Sequence, residues 1–171
     1  MKANQELNAT GTALRSLSDL LWRERDLLES LHYRLEVEQL LLGAGRTRLL
    51  PIAAREVDEA LAGIRNAELA RAVEVRTVAS VLDLPDGASL LDIAGASPAP
   101  WEGILLEHRT AILGLTSEIG SAAEANRDVL ASVHHATQET LMSLHESVDV
   151  YDVRGTTARR SATARLVDES L

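Results

Sequence analysis

The chain has 171 residues, one domain's worth, and is 46% apolar with only 2% aromatics. Its apolar mass is therefore Leu, Ala, Val and Ile, which suits helix packing along a seam better than a compact core built on large rings. A net charge of −9 argues against nonspecific nucleic-acid binding and anionic membrane surfaces, and the absence of Cys excludes disulfides, thiolate catalysis and Cys-ligated metals.

No apolar run reaches membrane-spanning length, so no stable membrane insertion is expected. The N-terminal MKANQELNATGTAL lacks the continuous apolar core of a secretory signal, and a soluble cytoplasmic protein without a cofactor is expected.

Gly and Pro punctuate the chain at GAG (43–45) with Pro51, at Pro85–Gly87 with Gly95–Pro100, and at Gly155. The first segment between breaks, about Leu7 to Leu42, carries Leu14, Leu17, Leu21, Leu28, Leu31, Leu35 and Leu42 on three- and four-residue steps. Glu24 and Glu38 fill two slots of that stripe. This predicts an amphipathic helix roughly 50 Å long. Trp22, Tyr33 and Leu40, with Val37 close by, project nearly opposite the stripe. Either another helix covers that line or it is an interface for a partner or a second copy, since interface cores favour Trp and Tyr.

The second segment, Pro51 to Leu84, shows one stripe in Val57, Leu61 and Ile64 and another in Ala72, Val75, Ala79 and Leu82. The spacing slips near Glu68, which predicts a local change of supercoil. Arg76, in EVRTVASVL, reads as a solvated or snorkelling structural residue, with an ion-pair role as the alternative. SLLDIAG (89–95) predicts one or two helical turns, with Ser89 and Asp92 in the first.

The third segment is the most regular. Its seam runs from Trp101 through Leu105, His108, Ile112 and Asn126 to Leu141, Leu144, Val148 and Tyr151, and Gly155 fits a helix C-terminal stop. Asn126 occupies a seam position, where a buried Asn fixes register at a cost in stability. No strand pattern is present. The prediction is all-α: three long helices plus a short connecting helix in an elongated antiparallel bundle or coiled coil. Residues 1–155 form the helical domain, and 156–171 form a flexible tail, basic at Arg159, Arg160 and Arg165, then acidic at Asp168 and Glu169. That tail is either a segment that folds on binding or a frayed terminus.

Catalytic and metal signals are weak. No His pairs with another at the i, i+4 spacing of helical zinc sites; His134 and His135 are adjacent and point apart. Glu56 and Glu59 share a helix face, and a metal-dependent nucleotide hydrolase of the acidic-bundle kind would need further acids opposite them, with Glu36 and Glu38 as candidates. No enzyme activity, catalytic residue or metal ligand is expected; an acidic helix surface is the simpler explanation.

The layout resembles the FlgN family of flagellar type III export chaperones. The resemblance rests on LWRERDLLESLHYRLEVEQLLL in the first helix, Arg76 within EVRTVASVL, SLLDIAG, EANRDVLAS in the third helix, and Tyr151 to Gly155 before a polar tail. It departs from the family pattern where Asp128 and Val129 follow Asn126, since a second Asn is common there. The resemblance implies a cytosolic chaperone that binds the C-terminal helical segments of hook-associated (hook-filament junction) proteins. It would prevent their premature assembly and deliver them to the export gate and ATPase complex. Client contact is then expected at Leu141, Leu144, Val148, Tyr151, Gly155 and Leu166; a homodimer through the Trp22 and Tyr33 line is a further expectation. Trp101-Glu102-Gly103 also matches the W-x-G of secreted helical hairpins. Their export signal wants an acid four residues after a Tyr, where position 155 is Gly, and they have two long helices rather than three.

Overall fold

The structure, a computed structural model, describes the backbone of residues 2–147, 149–151 and 157–159 and the side chains of residues 8–140. Four helices carry the fold: α1 (Lys2–Gly43), α2 (Leu50–Val81), α3 (Leu90–Ala96) and α4 (Trp101–Ser147), with a 3₁₀ turn at Thr47–Leu49 between the first two. Two three-residue strands follow, β1 (Asp149–Tyr151) and β2 (Thr157–Arg159), paired antiparallel with Val150 opposite Ala158. The chain divides into two compact units, residues 1–126 and 127–171.

The all-α expectation holds, and the helix boundaries fall close to the Gly and Pro punctuation. α1 ends in a Schellman motif: the Arg46 amide donates to the Leu41 carbonyl (2.9 Å), the Gly45 amide donates to that of Leu42 (3.1 Å), and Gly45 takes φ +64°. α2 ends the same way with a non-glycine residue, Asp83 at φ +54°, and the Leu84 amide donating to Ala79 (2.9 Å). α3 starts on a capping box: the Ser89 hydroxyl accepts from the Asp92 amide (3.2 Å), and the Asp92 carboxylate accepts from the Ser89 amide (2.8 Å). That carboxyl is held below its usual range by its hydrogen bonds to the Ser89 side chain and backbone.

Within residues 1–126 the helices run up, down and up. The Arg34 guanidinium reaches the Glu56 carbonyl and Arg71 reaches Glu24, so α2 is antiparallel to α1. Ser18 meets His108 and Leu35 meets Asn126, so this part of α4 is parallel to α1. Consecutive long helices are thus antiparallel, as expected, while the first and last align.

Two apolar clusters form the core. One joins Leu14, Leu17 and Leu21 of α1 to Val78 and Ala79 of α2, Ile93 and Ala94 of α3, and Leu105 of α4. The other joins Leu28, Leu31 and Leu35 to Ala60 and Ile64, with Leu115 and Ile119 packed against them; Ile112 touches both clusters.

Two expectations are corrected. α2 does not start its second stripe at Ala72, and its spacing does slip near Glu68: two successive four-residue steps, Ala67 to Arg71 to Val75, interrupt the alternation, the insertion that locally alters a supercoil. Its inward positions continue from Ala53 through Val57, Ala60, Ile64 and Ala67, and on to Val75, Val78 and Leu82. Arg71 fills the slot at the slip, and Ala72, expected in the second stripe, faces solvent. The α4 stripe does not carry Tyr151 to a stop at Gly155, because the helix ends at Ser147 and Tyr151 lies in β1. The run VDVYDV (148–153) is rich in β-branched and aromatic residues, which favour extended backbone.

Candidate functional site

The buried polar residues lie mostly at seam slots, as the helical spacing implies. Glu24 occupies the gap in α1 between Leu21 and Leu28, and Arg71 reaches it from α2 at 2.6 Å. Burial pushes the Glu24 carboxyl up, with Glu68 acting in the same direction; the charge and hydrogen bond of Arg71 oppose both. This ion pair separates the two apolar clusters.

His108 is fully enclosed. Its ring lies 3.2 Å from the Ser18 hydroxyl and 3.5 Å from the Arg25 guanidinium, and it meets Trp22 edge-on at 5.0 Å. Burial holds the imidazole below its ordinary value and Arg25 reinforces this, while Glu107 acts against it. Arg25 also stacks over the Trp22 ring at 4.3 Å, a cation–π contact. Trp22 is therefore half-exposed and seated against α4, rather than lying free opposite the core stripe. Sequence periodicity gives no sign of Arg25 or Arg71 as partners, because it says which face a residue occupies but not which residue of another helix it meets.

The other residues of the Trp22 line are more open: Tyr33 is 65% and Leu40 72% exposed, with Val37 half-buried. Asn126 is buried, and its side-chain amide donates to the Leu35 carbonyl (2.9 Å) and to the Glu38 carboxylate (3.0 Å), tying α4 to α1. Arg76 is exposed and takes part in none of the ion pairs among the described residues.

From Arg127 to Thr140, α4 contains no buried residue. Leu130 and Val133 are 44% and 49% exposed, and Val129 is half-buried. Leu141 and Leu144 continue this helix and Tyr151 lies in β1, but their side chains fall outside the described residues, as do Val148, Gly155 and Leu166 altogether.

The acids considered for a metal do not converge. Glu56 and Glu59 are exposed, Glu36 pairs with His32 at 3.9 Å, and Glu38 accepts from Asn126. Among the described residues no group of three His, Cys, Asp or Glu is placed to hold a metal ion. His134 is exposed, and His135 pairs with Glu139 at 3.6 Å. The W-x-G triplet forms the first turn of α4. No helix among the described residues is long and apolar enough to cross a membrane.

The arrangement is a helical scaffold, polar at chosen seam slots, with an α4 segment whose apolar residues are not buried. No curated protein and no solved structure matches the chain. The family model described as FlgN protein matches residues 13–159, from within α1 through the β pair. The chain belongs to the FlgN family of flagellar export chaperones.

Proposed function

We propose that this protein works in the cytoplasm, binds the C-terminal helical segments of hook-associated proteins, prevents their premature assembly, and delivers them to the export gate and ATPase complex. The observation that supports this most is the 127–140 stretch of α4, helical yet without a buried residue. An isolated helix of that length is marginal in water, so a partner that covers its apolar residues would stabilise it. An amphipathic client helix laid against it would bury Leu130 and Val133 by the usual helix-in-groove logic. Leu141, Leu144, Val148, Tyr151, Gly155 and Leu166 extend the same proposal toward the C-terminus, with 156–171 as a segment completed by the client.

Exposure of Tyr33 and Leu40 supports a second interface on α1, for a second copy of the chain or another partner. Asn126 and Arg76 are assigned structural roles: Asn126 in register, through its bonds to α1, and Arg76 as a solvated side chain.

The test is co-expression of the full chain, a form truncated after Gly155, and Tyr151→Ala with hook-associated proteins from the same genome. The expected result is a stable complex of the full chain that both changes weaken. Retention unaffected by either change would move the client site elsewhere, and no complex with any such protein would overturn the function.

A further inference from the structure

The tip joining α1 to α2 has a composition unlike the rest of the molecule. Between Glu38 and Glu56 the chain has no acid, yet it has Arg46, Arg48 and Arg55, in a protein with 26 acidic and 17 basic residues. All three arginines are exposed, and none forms an ion pair among the described residues. Beside them Leu49 and Ile52 are 46% and 55% exposed. Arg46, Arg48, Leu49 and Ile52 line one concavity together with Gly45 and Thr47.

The surface is pre-organised. The Arg46 amide is bonded to Leu41 and its carbonyl accepts from the Leu49 amide, each at 2.9 Å, and Pro51 stiffens the start of α2. Little backbone entropy is left to lose when something docks there.

We propose that this tip is a docking surface for an acidic amphipathic segment of a partner protein. One apolar side chain of the partner enters between Leu49 and Ile52 while its carboxylates pair with Arg46, Arg48 and Arg55. Charge complementarity selects this occupant. Arg46 and Arg48 have no acid within seven residues on either side, and such guanidinium groups attract carboxylates in forked hydrogen bonds, while the apolar floor supplies area that a free anion would not use. A lipid surface fits less well, since each basic residue gains only about 1 kcal/mol at an anionic membrane and the chain as a whole carries −9. The proposal does not rest on client binding by α4, because it concerns a different set of residues.

The experiment uses the full chain and a labelled synthetic amphipathic peptide with Leu on one helical face and Glu on the other, with a Lys-for-Glu peptide as control. Fluorescence anisotropy reads binding by the natural sequence, by Arg46→Glu/Arg48→Glu and by Ile52→Ser. These positions are exposed, and circular dichroism checks that the variants fold. The expected result is binding of the Glu peptide alone, weakened at least ~10-fold by each variant and by raised salt. No binding of the Glu peptide, equal binding of the Lys peptide, or indifference to the charge reversal would overturn the proposal. Two other results would overturn it by naming a different occupant: co-sedimentation with phosphatidylserine vesicles that the charge reversal abolishes, or self-association that Ile52→Ser abolishes.

Discussion

The Arg71 guanidinium lies 2.6 Å from the Glu24 carboxylate, and each occupies a seam position between two apolar clusters. The pair joins α1 to α2 at one relative height, because sliding either helix would bury a charge against Leu. Removing one partner is expected to cost more than removing both. Arg71→Met should lower unfolding free energy by about 3 kcal/mol, leaving the Glu24 carboxyl buried alone, whereas Glu24→Leu with Arg71→Met should recover most of that loss. Urea unfolding of the natural protein and the two variants checks this, and equal losses in the single and double variants would contradict it.

His108 gives the bundle a pH dependence with a definite sign. Its folded value is depressed, so the unfolded chain takes up the proton first. Stability from this group is full above the ordinary value of 6.5 and falls as pH drops from there through the depressed value. Glu24 acts oppositely. Its folded value is raised, so its contribution is present below 4.5 and is lost as pH rises through the raised value. The His108 effect is therefore read as a difference: between pH 7 and pH 5, His108→Gln should lose less stability than the natural protein. Parallel curves would contradict the assignment.

Asp83 is the one non-glycine residue at positive φ among the described residues. Glycine adopts that conformation without steric cost. Asp83→Gly is expected to raise stability by roughly 0.5 kcal/mol and Asp83→Val to lower it by about 1 kcal/mol or more. Thermal melts of both variants check this; the same sign for the two changes would contradict the helix-end geometry.

At α3 the seven-residue helix depends on its capping box more than a long helix would. Ser89→Ala should cost about 1 kcal/mol, and Ser89→Gly only a few tenths. Since α3 places Ile93 and Ala94 in the first cluster, the loss should appear in global unfolding rather than as local fraying.

Much of this arrangement was legible in the sequence. The Leu steps from Leu14 to Leu42 and the Trp101–Asn126 seam give the helices, and GAG, Pro51 and SLLDIAG give their ends, because backbone conformation at those residues is locally dictated. Glu24, His108 and Asn126 could be placed at seam slots for the same reason. Their partners could not. Arg71 belongs to neither stripe read from the second segment until Glu24 faces it, and Trp22 reads as either covered or exposed until His108 is found at its edge. The Tyr151 extension failed because a three-and-four-residue pattern tolerates a few more chance matches, while the β-branched run at 148–153 was the stronger local signal.

The central claim is that α4 beyond Asn126 receives the client, and amide hydrogen exchange tests it most directly. Exchange would be followed for the free protein and for its complex with a hook-associated protein's C-terminal helical segment. The account predicts that amides in 127–147 slow on binding while those of Leu28, Leu31 and Leu35 change little, because these are already buried in the free protein. Slowing confined to α1 and α2, with 127–147 unchanged in a verified complex, would contradict it.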